Sequence, residues 1–240
     1  MNRLVFRKLP QLSYPVNEAF NTLSTNVSFL GRDIKKIMIT SSQASEGKSF
    51  TSITLCRKLA ERGKRVVLVD TDLRRSRITT VYGVQFAPGS KKQGLSHYLA
   101  GIAEKEEVLF NTNIPGMDFI PMGHELLNPI PLLSSERFQN LLDGLAEQYD
   151  YVIVDAAPVG VVIDAAEIAK ACDGILLVVS YNQVHRQELI DVKNQLEQTG
   201  CPILGTILNQ VDYEGFANKK YYYKSHYSSY YKAYEKEAEE

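Results

Sequence analysis

The sequence of 240 residues contains no tryptophan, only three cysteines and no long hydrophobic run. Cys56, Cys172 and Cys201 are far apart along the chain, which argues against a disulfide framework or a cysteine-based metal site and favours small buried residues. No apolar stretch approaches the ~20 residues that a membrane-spanning helix needs, and the N-terminus has no signal-peptide apolar region. We therefore expect a cytoplasmic protein.

The chain also has almost no net charge. Its 27 lysines and arginines face 28 aspartates and glutamates, which leaves a formal net charge of -1. Such a balance provides no positive surplus for a nucleic-acid backbone, so no nucleic-acid partner is expected. The length and the 44% hydrophobic content suit one α/β domain with a full core.

A phosphate-binding loop is predicted where an apolar strand at 37–39 runs into Gly47-Lys48-Ser49 and then into a helix with periodic apolar residues. This strand, turn and helix are the context that a P-loop requires, although the strict pattern has glycine at the position of Ser42. Backbone N–H groups of residues 43–49 can surround a phosphate at the helix N-terminus. The alternative is a chance Gly-Lys-Ser sequence. The predicted nucleotide-binding residues here are Ser42, Gln43, Ala44, Ser45, Glu46, Gly47, Lys48, Ser49 and Phe50.

Two acidic strand ends follow this loop. Asp70 and Asp72 are two residues apart in the strand-like segment 66–75, so both can point towards a ligand on the loop. Asp155 ends the apolar run 151–155, the usual position of a carboxylate that holds Mg²⁺ through water. The alternative is that Asp70 or Asp72 only caps the following turn.

Apolar runs and helical periodicity alternate along the chain, which predicts a mostly parallel sheet with ligands at the carboxyl ends of its strands. We expect an α/β fold of the P-loop NTPase type, with a twisted sheet flanked by helices on both faces, in a single domain over residues 1–218. A helix is expected at about 15–30 and a mobile loop at 83–93. Strands are expected at Ile37 to Ser41, Arg65 to Asp70, Met117 to Pro121, Tyr151 to Asp155, Gly174 to Ser180 and Pro202 to Asn209.

The last residues, 219–240, hold half of the 14 tyrosines and no aliphatic side chain larger than that of Ala233. Such a segment cannot bury a core, so we expect a mobile tail that serves as phosphoacceptor. The alternatives are an amphipathic helix and a basic nucleic-acid tail, but glutamates offset the lysines here. The predicted acceptors are Tyr221, Tyr222, Tyr223, Tyr227, Tyr230, Tyr231 and Tyr234.

Taken together, these motifs resemble the cytoplasmic domain of bacterial tyrosine kinases, the family that controls capsule and exopolysaccharide export. The resemblance spans residues 14–234 and rests on the loop, both acidic strands and the tyrosine cluster. It also includes the segments 94–101, Asn128-Pro129 and 205–212.

The resemblance implies an ATP- and Mg²⁺-dependent protein-tyrosine kinase that phosphorylates its own tail between copies. It implies catalytic roles for Lys48, Asp70 and Asp72, metal binding by Ser49, Asp72 and Asp155, and a nucleotide contact at Asn209. The implied partners are a membrane-anchored chain-length adaptor that activates the kinase and recruits it to the inner membrane face, and a cognate tyrosine phosphatase.

The chain departs from the family pattern at several positions. In the N-terminal helix, Asn21 and Ser24 stand where the family has the arginines of its ring interface. An Arg–Glu pair is bidentate and charge-assisted, and neither residue can replace it. We therefore expect a mainly monomeric or weakly associated chain in which the polar face of this helix stays solvated.

Other departures lie near the nucleotide. Ala44-Ser45 replaces the usual Pro-Gly, so Ser45 has to supply any positive φ that glycine would adopt freely. Ser76 replaces a usual proline, and Gln210 replaces a usual basic residue near the expected adenine position. None of these changes removes a phosphate or metal ligand.

Two other functions share part of this pattern. A partition or positioning ATPase of the deviant-Walker type has the same sheet and loop, but it carries a second lysine at the position of Gln43. A catalytically weakened nucleotide-binding scaffold is compatible with the lost arginines and with Ala44-Ser45.

Overall fold

A computed structural model describes residues 2–211 of the chain. The strands in this range are β1 (Asn2–Phe6), β2 (Lys36–Ser41), β3 (Val66–Asp70), β4 (Val84–Phe86), β5 (Phe110–Asn111), β6 (Met117–Ile120), β7 (Tyr151–Asp155), β8 (Gly174–Ser180) and β9 (Ile203–Asn209). The helices are α1 (Tyr14–Ser28), α2 (Lys48–Glu61), α3 (Ile78–Val81), α4 (Leu95–Leu99), α5 (Lys105–Val108), α6 (Ile130–Leu133), α7 (Glu136–Gln148), α8 (Asp164–Ala169) and α9 (Arg186–Glu197).

The strands form one sheet in the order β4-β1-β5-β6-β3-β7-β2-β8-β9. The six strands from β6 to β9 in this order are all parallel to one another. Antiparallel pairing occurs between β5 and β6 and between β4 and β1. This arrangement places the carboxyl ends of β3, β7 and β2 side by side at the centre of one sheet edge.

Helices cover both faces of the sheet. On one face, Phe138 and Leu142 of α7 and Val192 of α9 pack with the buried strand residues Met38 and Val154. On the other face, α1 and α2 pack on strand residues such as Ile37 and Phe119. Because both faces are buried, the central strands are continuous apolar runs, and β3 and β8 are buried along their whole length.

The six strands expected from the sequence are all present, with ends that differ by at most one residue. The expectation of a mobile loop at 83–93 is wrong in part, because Val84–Phe86 forms β4 and pairs with β1. The Phe86 ring also contacts the Phe110 ring, with centroids 5.1 Å apart. β4 has only three residues and lies at the edge of the sheet, so its apolar pattern is weak.

The helix expected near residues 15–30 runs from Tyr14 to Ser28. Its side chains Phe20 and Val27 are buried. Ser24 lies four residues after Phe20 and three before Val27, so helical geometry places it on the same face. Ser24 is accordingly buried at 0% exposure and does not belong to the polar face of this helix, on which Glu18, Asn21 and Thr25 are half-buried and Ser28 is exposed.

In the described part of the chain no helix is long and apolar enough to cross a membrane. Cys56, Cys172 and Cys201 are free, and Cys56 and Cys201 are buried, in agreement with their interpretation as small buried residues. The seven tyrosines predicted as acceptors lie outside the described residues.

Candidate functional site

The loop between β2 and α2 has the backbone conformation of a tight turn. Ser45 has φ +67°, so this serine adopts the positive φ that its position was predicted to require. Gly47 has φ +89°, and a Cβ atom added there would lie 2.1 Å from Asn209 Nδ2. Glycine at position 47 is therefore needed for both its conformation and its close contact with β9. Helix α2 begins at the next residue, Lys48.

Side chains at the carboxyl ends of β8 and β9 fasten this loop. Asn209 Nδ2 donates to the Glu46 carbonyl at 2.8 Å, and Gln210 Nε2 donates to the Ser45 carbonyl at 2.9 Å. Ser180 Oγ in turn donates to Gln210 Oε1 at 2.8 Å. Ser180 and Gln210 were not predicted as loop contacts, because residues so distant in sequence meet only in the folded sheet.

Two further contacts attach the loop and the first turn of α2 to other helices. Gln43 Nε2 lies 2.8 Å from both carboxylate oxygens of Glu188 in α9. At the other end, the Phe50 ring contacts the Phe20 ring of α1, with centroids 5.6 Å apart and an edge-on geometry. The side chain of Phe50 thus faces helix α1.

Asp155 is held against the first turn of α2. Ser49 Oγ donates to Asp155 Oδ2 at 2.6 Å, and Ser52 Oγ donates to Asp155 Oδ1 at 2.8 Å. Burial raises the pKa of Asp155, while Lys48 and the two serine hydroxyls act in the opposite direction. Ser52 lies one helical turn after Lys48, and the sequence offered no signal for its contact with Asp155.

Asp70 lies beside Asp155, since the two residues are register partners on β3 and β7. Its side chain is fully buried, and Oδ2 accepts a hydrogen bond from Ser76 Oγ. Within the described residues Oδ1 has no hydrogen-bond partner. Burial, and then the Asp155 charge, raise the pKa of Asp70 well above the usual range of a carboxyl group.

Asp72 is near the loop lysine, with Asp72 Oδ2 lying 3.6 Å from Lys48 Nζ. The prediction that Asp70 and Asp72 share a strand face is wrong in detail, because β3 ends at Asp70 and Asp72 lies in the following turn. Asp72 Oδ1 also accepts from the Arg75 amide at 3.0 Å. Asp72 therefore both caps its turn and faces Lys48.

An ion pair between the half-buried Arg74 and the buried Asp164 supports the turn that follows Asp72. Arg74 Nε and Nη2 donate to the two carboxylate oxygens of Asp164 at 2.6 and 2.9 Å. Arg74 Nη1 donates to the Leu127 carbonyl at 2.8 Å. A bidentate pair of this kind fixes both direction and distance, so it joins the turn to the start of α8.

The polar atoms at this sheet edge suit a hard cation that arrives with phosphates. Ser49 offers a hydroxyl and Asp72 and Asp155 offer carboxylates, which are the oxygen donors that Mg²⁺ prefers. Among residues 2–211 there is no group of three or more His, Cys, Asp or Glu side chains that could hold a metal ion. Mg²⁺ is usually bound by one or two carboxylates together with substrate phosphates, so this donor set fits it.

The structure thus brings Lys48, Ser49, Asp70, Asp72 and Asp155 together at the carboxyl ends of β2, β3 and β7. Asn209 joins them through its hydrogen bond to the loop. In open α/β sheets this edge is where ligands bind. The site therefore combines a helix N-terminus for anions, one lysine, and two neighbouring buried carboxylates.

Comparisons with known proteins identify relatives of this chain. A family model described as an AAA domain matches residues 34–200. The tyrosine-protein kinase CpsD of Streptococcus agalactiae serotype III (strain NEM316) is 39% identical over 195 residues, which cover 81% of this chain and 82% of that protein. The kinase domain of Escherichia coli tyrosine kinase ETK has a TM-score of 0.76 at 32% identity, covering 88% of this chain and 80% of that one.

A more distant structure shares the fold alone. The septum site-determining protein MinD of Pyrococcus horikoshii OT3, complexed with Mg-ADP, has a TM-score of 0.61 at 23% identity and covers 73% of this chain and 70% of its own. The predicted α/β fold of the P-loop NTPase type is confirmed by these structures. That fold implies nucleotide binding.

Proposed function

This chain belongs to the family of bacterial tyrosine-protein kinases, and on that premise we propose that it transfers the γ-phosphoryl group of ATP to tyrosine hydroxyls of its own C-terminal tail. One observation carries the proposal. Ser49 contacts Asp155 at 2.6 Å and Lys48 lies 3.6 Å from Asp72, so the loop and both acidic segments meet at one point.

The proposed roles follow from this arrangement. Lys48 and the loop amides stabilise negative charge on the transferring group. Ser49, Asp72 and Asp155 hold Mg²⁺, directly or through water. When bound, Mg²⁺ neutralises charge on the phosphates.

Asp70 is the proposed general base. Its Oδ1 has no hydrogen-bond partner among the described residues, so this oxygen can accept a proton. A carboxylate with a raised pKa is a better base near neutral pH than an ordinary one. The tyrosine oxygen attacks the γ-phosphorus as Asp70 takes its proton, the bond to the β,γ-bridging oxygen breaks, and ADP leaves.

The proposed acceptors are the tyrosines of residues 219–240. Tyr82, Tyr149 and Tyr151 of the folded part are less suitable phosphoacceptors, because their side chains are buried. Burial, and then Asp155, raise the pKa of Tyr82 to about 12, and the Tyr149 hydroxyl donates to Asp118 at 2.6 Å. The Arg137 guanidinium lies over the Tyr98 ring, with Cζ 4.3 Å from the centroid of the ring.

The proposed biological role is regulation of capsule or exopolysaccharide synthesis or export. A membrane-anchored adaptor would activate the kinase and recruit it from the cytoplasm to the inner membrane face, and a cognate phosphatase would reverse the modification. Phosphorylation would take place between copies of the chain.

The alternative of a partition or positioning ATPase is not favoured. The relative at 39% identity is a tyrosine kinase, whereas the MinD likeness shows only the fold. The position of the second lysine is occupied by Gln43, whose amide is bonded to Glu188.

The test is incubation of the purified chain with labelled ATP and Mg²⁺, with and without the cytoplasmic end of the adaptor, followed by detection of phosphotyrosine. Labelled tyrosine supports the proposal. Release of inorganic phosphate with no phosphotyrosine in either condition contradicts it and favours an ATPase.

A further inference from the structure

The phosphate-binding loop contains a buried carboxylate, that of Glu46, which is 2% exposed. Its Oε2 atom accepts two hydrogen bonds from the loop itself, from Ser42 Oγ and from the Gln43 amide, both at 2.7 Å. Its Oε1 atom accepts from the Ser180 amide at the end of β8, at 2.8 Å. Both oxygens are thus bonded to protein donors, and the carboxylate joins the start of the loop to a neighbouring strand.

A negative charge is electrostatically unfavourable in a loop that binds phosphates. Like charges repel, and the repulsion is stronger where the surroundings are poor in water. If Glu46 were only a charge near the nucleotide, its removal would tighten binding. Its three hydrogen bonds indicate a different role.

The loop also has a backbone conformation that needs support. Ser45, the residue before Glu46, has φ +67°, and a non-glycine residue stays in this region only where its surroundings determine it. The carbonyls of Ser45 and Glu46 accept hydrogen bonds from Gln210 and Asn209. The Glu46 carboxylate adds the third connection, from the other end of the loop to β8.

We propose that Glu46 is a positioning residue, which holds the loop in its phosphate-binding shape before the nucleotide arrives. Its carboxylate fixes Ser42 and Gln43 relative to Ser180, so the remaining loop amides need not be ordered by the ligand. A ligand that binds a preformed loop loses less free energy in ordering it. This inference rests on the proposed binding of nucleotide phosphates by this loop.

The test compares Mg²⁺-ADP and AMP affinities of wild type, Glu46→Gln and Glu46→Ala by titration calorimetry. Positioning predicts weaker Mg²⁺-ADP binding in Glu46→Ala, by about tenfold or more, the usual effect of one lost hydrogen bond to a charged group. Glu46→Gln should show a smaller loss, because its amide oxygen can still accept from Ser42 and Gln43. AMP affinity should change less than ADP affinity, since the loop surrounds the β-phosphate.

Glu197→Gln is the matched control for the loss of one negative charge. Glu197 pairs with Lys193 on the exposed surface of α9, at the opposite end of this helix from Glu188, the residue that bonds Gln43 of the loop. The Mg²⁺-ADP affinity of the Glu197→Gln variant should equal that of wild type. Unfolding in urea, measured without nucleotide, identifies any variant that loses the fold, and the isosteric Glu46→Gln keeps the test valid if Glu46→Ala does not fold.

Amide hydrogen exchange gives a second readout that does not depend on activity. In the nucleotide-free protein, the Ser180 amide should lose protection in Glu46→Gln, and the Gln43 and Ser180 amides should both lose it in Glu46→Ala. Protection of the β2 amides should not change. Unchanged or tighter Mg²⁺-ADP binding in the Glu46 variants, with wild type binding normally, overturns this inference alone. A wild type that binds no nucleotide overturns the proposed function as well.

Discussion

Asp70 and Asp155 are direct partners across adjacent parallel strands, and both carboxyl groups are buried. Burial raises the pKa of both groups, and the Asp155 charge contributes further to the pKa of Asp70, which lies well above the usual range of a carboxyl group. Only Asp155 receives two hydroxyl donors, from Ser49 and Ser52. The two groups therefore differ in their surroundings, because both oxygens of Asp155 accept a hydroxyl hydrogen bond, whereas Asp70 Oδ1 has no hydrogen-bond partner among residues 2–211 and can accept a proton.

The first prediction concerns the stability of the Asp70→Asn variant. Because the pKa of Asp70 is raised in the folded state, its ionisation opposes folding at pH values above the unfolded pKa, which is about 3.9 for aspartate. Asp70→Asn should thus be more stable than wild type at pH 7, and the difference should disappear as the pH falls to about 4. In a chain of this size, Tm should rise by about 2–4 °C for each kcal/mol gained.

The same variant should lose phosphotyrosine formation, because asparagine cannot take the tyrosine proton. Calorimetric unfolding between pH 4 and 8 and a labelled-ATP assay check both parts. Asp191→Asn, which removes a surface carboxylate of α9, is the control for the loss of charge. A fall in Tm at pH 7, or full activity in Asp70→Asn, would contradict the assignment of Asp70 as a buried base.

The second prediction concerns the tail. Removal of residues 219–240 should eliminate most autophosphorylation and leave nucleotide affinity and Tm nearly unchanged, since these residues have no apolar pattern that could join a core. Mass spectrometry of the full chain should place the phosphates on the tail tyrosines, and Tyr98→Phe should label as wild type does. Phosphate found mainly on Tyr82, Tyr98 or Tyr181 would show that the tail is not the acceptor.

The third prediction concerns self-association. With asparagine and serine in place of two interface arginines, the purified chain should be mainly monomeric in light scattering at micromolar concentration. Each charge-assisted hydrogen bond typically contributes ~1.5–3 kcal/mol, so the loss of two weakens association by several orders of magnitude. A stable ring formed by the unphosphorylated wild type would refute this expectation.

The structure shows which of these two positions can accommodate an arginine side chain. Ser24 is fully buried, so Ser24→Arg would place a charge inside the domain, whereas Asn21 is half-buried and its Nδ2 donates to Glu18 Oε1 at 2.8 Å. Asn21→Arg should therefore increase association without loss of Tm. Asn26→Arg, at an exposed position of the same helix, is the matched control and should stay monomeric.

Much of the fold could be predicted from the sequence because the central strands are buried on both faces. Segments such as Tyr151–Asp155 and Gly174–Ser180 are uninterrupted apolar runs and were predicted with their observed ends. β4 and β5 were missed because strands of three and two residues are too short for a periodic pattern, and the five-residue β1 was not predicted either.

The candidate site was predictable only where a motif is local. Gly47, Lys48 and Ser49 form one turn, and Asp155 ends one strand. The partners Ser180 and Gln210 act through hydrogen bonds between segments that meet only after folding, such as the bond from Gln210 to Ser45. Ser76 stands where the family usually has proline, and its hydroxyl donates a hydrogen bond to Asp70. The change of residue type in the sequence does not by itself indicate this contact.

The most direct test of the account is mass-spectrometric mapping of phosphotyrosine after incubation with ATP and Mg²⁺, for wild type and Lys48→Met, with and without the adaptor's cytoplasmic end. Loss of a group that stabilises transition-state charge typically lowers the rate by ~10²–10³-fold. Wild type should carry phosphate on the tyrosines of residues 219–240, and Lys48→Met should keep its Tm and carry almost none. Equal tail phosphorylation in wild type and Lys48→Met would contradict the account.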